Sequence, residues 1–343
     1  MATLFNREWS KSELLSRVGQ MDQLAGIRLL EAVDGKARGC RVLDVWTGTG
    51  LRFQVNAERA LDISSCDFKG QPLAWRSPTG DVHPAYFEPQ GLGWLRSFTG
   101  GLVMTCGLDH FGSPAQDGET ELGLHGRIGN CPASQMNYRT FWDGDDYKLE
   151  ITGEIRQASA PNESLVLRRR ISTAMGSNRI RIEDVVTNEG FESAPHMLLY
   201  HCNIGFPLVS ENTRLQLEAE ETLPRNADAE VGLAEWDRFQ APTAGYREQV
   251  FIHRPKADKD GIATVELSNP QMGIGLRWKY GAATLPYLME WKMMGKAAYV
   301  VGIEPANCNG LAGRPATREL GHLPILEPGE SRNYHIDVEV ISN

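Results

Sequence analysis

Over most of the chain, apolar residues alternate with polar ones in short runs. RIRIEDVVTN (179–188) and HIDVEVIS (335–342) place every second side chain on one apolar face, the pattern of a half-buried β-strand. RVLDVWTG, LRFQVNA, LDISSCDFKG, LVMTCGLDHFG, YKLEITGEIR, SLVLRRRISTAMG, HMLLYHCNIGFP, TRLQLEAEE, QVFIHRP, GIATVELSN, MGIGLRWKY and YVVGIEP read as further strands. AMGSN, TNEG, LSNPQMG and LEPGES carry the Gly, Pro, Asn and Ser of turns between them. The helical period occurs once, near the N-terminus. Leu14, Leu15, Val18, Met21 and Leu24 are spaced for a helix that Ser10 or Ser12 would cap.

These elements predict an all-β chain, a large many-stranded sandwich rather than a parallel α/β sheet. No repeat of fixed period and no Ser/Gly or charged linker divides it. The expected organisation is an N-terminal helical extension over residues 1–25 and a single β domain over 26–343. A chain of 343 residues can bury a sizeable core.

Composition narrows the function classes. The formal net charge of −9 argues against nucleic-acid binding. The tight basic run Arg168, Arg169 and Arg170 has the alternation of a solvated strand face. No stretch approaches the roughly 18 apolar residues of a membrane-spanning helix. MATLFNREWSKSELLSRVGQ lacks the basic-then-apolar layout of a signal peptide, so the cytoplasm is the expected compartment. The six cysteines show neither CxxC nor zinc spacing and are expected to be free and mostly buried.

Candidate chemistry gathers at Gly-rich loops and strand ends. GLGWLRSFTGGLVMTCGLDHFG (91–112) carries Arg96, Asp109 and His110; ELGLHGRIGNCPAS (121–134) carries His125. PHMLLYHCNIGFP (195–207) carries His196, His201 and Asn203. MEWKMM (289–294) carries Trp291 and Lys292 just before YVVGIEPANC (299–308), whose single acid is Glu304. Pro305 holds Glu304 extended at what reads as a strand end, and a partly desolvated carboxylate there has the raised pKa of a general base. Each residue also has a plainer role: Arg96 and Glu304 in ion pairs, His110 in a turn, His201 as a hydrogen-bonded core residue. Together, an Arg, several His, an Asn, a Trp and one acid suit a polyhydroxylated ligand, whose hydroxyls need fixed donors and acceptors and whose ring packs on an aromatic face. No HxH or HxxxH pair marks a metal.

GLGWLRSFTGGLVMTCGLDHFG, GLHGRIGNCPAS, LLYHCNIGFPL, EWKMMGKAAYVVGIEPANC and LEPGESRNYHIDVEV, over residues 91–340, together resemble the aldose 1-epimerase (galactose mutarotase) superfamily, in its divergent DUF4432 branch. The resemblance implies a β-supersandwich and a Glu/His general acid–base reaction at a sugar C1. It assigns Glu304 as base, His201 as acid, and His125 of LHGR as a ligand of ring or hydroxyl oxygen. Arg96 aligns with the family's substrate-binding Arg; His110, Asn203, Trp291 and Lys292 complete the expected binding set. The sequence departs from the family at Arg127, where LHGG has its second Gly, and at Cys202, where an aromatic is usual. No residue aligns with the family's substrate-clamping Asp, for which Lys292 or Asp237 could stand in.

The reaction implied is interconversion of the anomers of an aldose or acidic sugar, with Glu304 ionised and His201 charged in the free enzyme and no cofactor or metal. Arg127 or Lys292 would suit an anionic sugar. The expected partners are a monosaccharide or sugar acid and a second copy of the chain, with neither nucleic acid nor membrane. Two other classes stand beside this one. One is a noncatalytic sugar-binding or regulatory protein on the same scaffold. The other is a sugar isomerase, epimerase or lyase using a metal held by His110, His125 and His201.

Overall fold

The computed structural model describes residues 2–161 and 163–342. It is an all-β assembly of antiparallel sheets. The largest has eight strands, ordered Ala133–Asp143, Asp146–Ser159, Glu163–Ala174, Arg179–Asn188, Ser331–Ser342, Ile274–Gly281, Ile262–Asn269 and Arg214–Leu217. A six-stranded sheet runs Ala219–Pro224, Gln249–Pro255, Tyr287–Met294, Tyr299–Ala306, Met197–Gly205 and Met104–Leu108. A five-stranded sheet is built from Gly26–Glu31, Arg41–Trp46, Leu51–Asn56, Asp62–Phe68 and Gln71–Pro72.

Alternation decides which faces meet. In Arg179–Asn188 every second residue is buried, so one face joins the core and the other meets solvent. Every residue of Met197–Gly205 is buried, because this strand is covered on both faces. One face contributes Leu198, Tyr200, Cys202 and Ile204 to the main core between the sheets. The other contributes Met197 and Leu199 to a smaller cluster with Trp94, Phe98, Met104, Phe111 and Met289. That second face carries the candidate site.

A buried polar network ties the sheets together. Arg169 donates to both oxygens of Asp184 at 2.9 and 2.7 Å, to Asp62 at 2.8 Å and to the Ala60 carbonyl at 3.0 Å. Tyr200 donates to Asp184 at 2.7 Å, and Thr105 donates to Asp62 through backbone and hydroxyl. The triple-Arg run is therefore a solvated face only at Arg168 and Arg170; Arg169, on the opposite side of the strand, is fully buried. With two aspartates and a carbonyl around it, the guanidinium is not left as an uncompensated charge.

Three local expectations change. The N-terminal extension is a hairpin, Ala2–Leu4 with Arg7–Trp9, followed by a helix of only five residues, Lys11–Leu15. Ser10 caps it through a reciprocal pair with Glu13, but Val18 and Gly19 are poor continuations and Leu14 is its one buried residue. Pro305 does not end its strand, which continues to Ala306. Strands Gly26–Glu31, Ala133–Asp143 and Tyr287–Met294 add to those expected. Among the described residues no helix is long and apolar enough to cross a membrane, and all six cysteines are free.

Candidate active site

Register places the central pair. Strand Met197–Gly205 runs antiparallel to Tyr299–Ala306 with Leu199 opposite Ala306 and Cys202 opposite Ile303, which sets His201 level with Glu304. Met289 is the partner of Glu304 on its other side, and Met104 that of His201. One step along the same face, Trp291 pairs with Gly302 and Gly302 with Asn203. Because side chains alternate at period two, His201, Asn203, Glu304 and Trp291 share a face. His201 Nε2 lies 3.3 Å from Glu304 Oε1, and both residues are buried.

An aromatic roof closes over this pair. Trp94 and Phe98 stack at 4.4 Å. Phe98, Trp291, His125 and Trp94 surround the His201 ring at centroid distances of 5.1, 5.5, 5.6 and 6.1 Å. Trp75 packs edge-on to Trp291. His125 reaches the roof from a loop in which it adopts φ +57°, a conformation that costs an L-residue on the order of 1–3 kcal/mol. The next residue, Gly126 at φ +75°, admits no side chain, because a Cβ there would strike the carbonyl oxygens of His110 and Gly107. Thus the Gly after His125 is required by close backbone packing, while the family's second Gly is replaceable: Arg127 turns away to pair with Glu163.

The rim is formed by residues that local sequence pattern did not single out. Arg225 follows strand Ala219–Pro224 and Glu248 precedes Gln249–Pro255. Arg225 Nη2 lies 2.7 Å from Glu248 Oε1, and Trp291 Nε1 donates to Glu248 Oε2 at 2.9 Å. Both charged groups remain partly exposed. Arg225 acts electrostatically on both Glu304 and His125. Its link to Glu248 depends on a ladder between segments distant in the chain. Trp94 and Phe98 lie inside the Gly-rich 91–112 stretch, where their aromatic character was the available signal.

Burial dominates the electrostatics. It raises the Glu304 carboxyl well above the ordinary carboxylate range; Glu248 reinforces the rise and Arg225 opposes it. Burial also pushes the His201 imidazole down to about 3, against which the neighbouring Asn203 side chain pulls. His125 is lowered by burial and then by the charges of His201, His110 and Arg225. Both shifts oppose the expected ionised-Glu304, charged-His201 pair: burial favours the protonated carboxyl and the neutral imidazole. Glu304 Oε1, His201 Nδ1, His125 Nδ1, Asn203 Oδ1 and His110 Nε2 are all buried without a hydrogen-bond partner. With no partner among the described residues, these atoms are free to hydrogen-bond a polar ligand.

The other expected site residues lie elsewhere or act indirectly. Arg96 is exposed and pairs with Glu88 at 2.8 Å. His110 is buried and accepts the Arg314 backbone N–H at 3.3 Å, and its neighbour Asp109 pairs with Arg314 at 2.9 Å. Lys292 is a correction: next to Trp291 on a strand, it points to the opposite face, where it donates to the Glu235 carbonyl at 2.8 Å. Asp237, on the same far side, lies 3.9 Å from Arg238. His196 bridges the Leu108 carbonyl and Tyr334 in the interior. No three His, Cys, Asp or Glu among the described residues converge as a metal-ligand set.

The family model described as a domain of unknown function, DUF4432, matches residues 37–340. No curated protein matches the chain. A Klebsiella pneumoniae protein, provisionally named an aldose 1-epimerase, superposes with TM-score 0.89 at 26% identity, over 94% of this chain and 86% of that one. A galactose mutarotase-like protein of Clostridium acetobutylicum gives TM-score 0.64 at 13% identity, over 94% and 100% of the two chains. Galactose 1-epimerase of Lactobacillus acidophilus gives 0.58 at 12% identity, over 93% and 99%. The latter two likenesses concern the fold alone.

Proposed function

This chain belongs to the DUF4432 family, within the galactose mutarotase-like superfamily, and from that premise we propose that it is a carbohydrate epimerase acting at C1, a mutarotase that interconverts the anomers of an aldose. The observation that carries the reading is the His201–Glu304 pair, 3.3 Å apart beneath an aromatic roof and ringed by unpartnered polar atoms.

Mutarotation needs one base and one acid. The base takes the proton of the C1 hydroxyl while the acid protonates the ring oxygen. The bond from C1 to the ring oxygen breaks, giving the open-chain aldehyde. After rotation about C1–C2 the carbonyl re-forms the hemiacetal on its other face, and both protons return. A protonated Glu304 carboxyl beside a neutral His201 imidazole offers one acid and one base. When a sugar enters, its hydroxyls and Arg225 solvate the carboxylate, and the proton crosses to His201. Glu304 then serves as base and His201 as acid. His125 and Asn203 offer hydrogen-bonding atoms to the ring substituents, and Trp94, Phe98 and Trp291 pack its apolar face. Glu248, between the His201 and Glu304 strands in sequence and fastened to Trp291, stands where a clamping acid is needed, a role open to neither Asp237 nor Lys292 on the far side. The Arg225–Glu248 pair offers a donor and an acceptor to adjacent hydroxyls.

This reading favours a neutral aldose. Of the cations expected to hold an acidic sugar, Arg127 is paired with Glu163 and Lys292 faces away, while Arg225 already has Glu248 as counter-ion. The test is anomer exchange followed by NMR over a panel of neutral aldoses and uronates. Acceleration by the wild type, lost in Glu304→Gln, supports the proposal; saturable sugar binding without any change in exchange rate would replace it with a noncatalytic binding protein.

A further inference from the structure

Trp291 and Lys292 are consecutive residues that reach opposite faces of one strand, and both hold the same excursion of the chain. Strands Ala219–Pro224 and Gln249–Pro255 pair directly, yet residues 225–248 leave the sheet between them. The two stems of this excursion are the rim residues Arg225 and Glu248. On the front face, Trp291 Nε1 donates to Glu248 Oε2 at 2.9 Å. On the back face, Lys292 Nζ donates to the carbonyl oxygen of Glu235, in the middle of the excursion, at 2.8 Å.

The back-face anchor is a built polar cluster. Lys292, His253 and Glu290 are all buried, and His253 Nε2 lies 3.4 Å from Glu290 Oε2. The excursion supplies its cover. The Trp236 ring packs on His253 at 4.8 Å, and the Lys292 ammonium lies 5.5 Å from the Phe239 ring. Thr243 N–H donates to the Met294 carbonyl at 2.8 Å, and Tyr299 donates to that of Gln240 at 2.6 Å. A sheet interior position occupied by an ammonium ion is costly unless its hydrogen bonds are satisfied. Here the acceptor that Lys292 reaches is the excursion itself, and Glu290 and Glu235 supply opposing charge. A core built only for stability would place an apolar side chain at this position.

We infer that Lys292 is a positioning residue: by fixing residues 226–247 on the back of the sheet it sets the Arg225–Glu248 rim on the front, and so tunes how tightly the sugar is held rather than the acid–base chemistry. The inference rests on the mutarotase reading for its kinetic consequence but not for its structural one. The side chains of Glu304 and His201 lie on the front face, opposite the one that carries Lys292, Glu290 and His253.

The test compares Lys292→Met, Lys292→Arg and Trp236→Ala with the wild type in the full chain. Trp236 lies on no strand, so Trp236→Ala removes part of the cover and keeps the inference testable if Lys292→Met fails to fold. Amide hydrogen exchange is measured for residues 226–247 and for strand Tyr299–Ala306, and anomer exchange is followed with α-D-galactose and α-D-glucose. Lys292→Met and Trp236→Ala should speed exchange in 226–247 while leaving Tyr299–Ala306 protected. KM should rise about tenfold with kcat within about twofold, the mark of lost uniform binding. Lys292→Arg, which keeps a cationic donor, should recover most of the KM. Unchanged exchange in 226–247 in both deletion variants overturns the inference, as does a fall in kcat at constant KM. A wild type that never accelerates anomer exchange defeats the proposed function alone, since the hydrogen-exchange comparison still decides whether Lys292 positions the excursion.

Discussion

Gly302 and Glu304 stand two residues apart on one face of their strand, and the Glu304 carboxyl lies back over Gly302 in the space a side chain would fill. A Cβ on Gly302 would collide with Glu304 Oε1 and press on Trp291 Cβ. The Gly of YVVGIEP is thus the seat of the proposed base. Gly302→Ala should push the carboxyl away from His201 and lower kcat roughly a hundredfold, the cost of misplacing a reacting group by about 1 Å. Steady-state anomer exchange alongside thermal unfolding checks this: a fold retained with activity lost is expected, and full activity would show that the carboxyl has another productive position.

Removing either member of the pair should cost more. Glu304→Gln and His201→Ala are each expected to reduce turnover by about two orders of magnitude or more, the scale of general acid–base contributions, with circular dichroism unchanged. Because the proposed acid and base act as a unit, the double variant should be little worse than the poorer single one. Near-normal rates in both single variants would remove them from the chemistry.

Burial gives the pair a distinctive effect on stability. Glu304 has a folded pKa raised above its ordinary value of 4.5, so its contribution is present below that pH and is lost as pH rises toward the folded value. His201 has its folded pKa lowered from 6.5 to about 3, so its contribution is lost as pH falls from 6.5 toward 3. Between 4.5 and 6.5 the two slopes oppose. Glu304→Gln, which has no charge to bury, should therefore gain on the wild type as pH rises above 4.5, by up to about 1.4 kcal/mol per pH unit. Denaturant midpoints of the two proteins from pH 4.5 upward test this, and parallel pH profiles would mean that Glu304 titrates alike in the folded and unfolded protein.

The fold was legible where one face of a strand is wet. Alternation marks Arg179–Asn188 and Ser331–Ser342 unmistakably. Ala133–Asp143 carries no such mark, because it is an edge strand of the eight-stranded sheet with mostly exposed side chains, so no apolar period is imposed on it. The N-terminal run has helical spacing but little core to bury against. Apolar periodicity there reflects local contacts of a hairpin and a single turn of helix rather than one long face.

In the site, the residues sequence reasoning joined are those brought together by ladder register: His201, Asn203, Glu304 and Trp291. The same period-two rule separates Lys292 from Trp291, and applying it to MEWKMM as a strand would have placed Lys292 on the back face. Arg225 and Glu248 carry no local signal, since only the pairing of Ala219–Pro224 with Gln249–Pro255 closes the excursion between them. Arg96 had the right company in sequence, yet at the end of the short 3-10 turn Gly93–Arg96 its side chain leaves for solvent while Trp94 turns inward.

The roof that holds Trp94 and Phe98 depends on a buried cation that forms no ion pair among the described residues. Arg59 is 3% exposed, and burial lowers its pKa. Its guanidinium donates to three backbone carbonyls: Gly129 at 2.5 Å, Val82 at 2.9 Å and Ser97 at 2.9 Å. Ser97 lies between Trp94 and Phe98, and Gly129 closes the turn that follows His125. One side chain therefore fastens the loops that form the pocket's ceiling. Arg59→Met removes the charge but leaves three buried carbonyls without donors, at about 1–3 kcal/mol each. Global stability should fall by roughly 3 kcal/mol or more, and near-UV circular dichroism of the Trp94–Phe98 stack should weaken. Arg59→Lys, with one ammonium in place of the planar fork, should recover only part of both signals. Urea unfolding and near-UV spectra on the three proteins check this, and a methionine variant as stable as the wild type would show that the loops are held by their own packing.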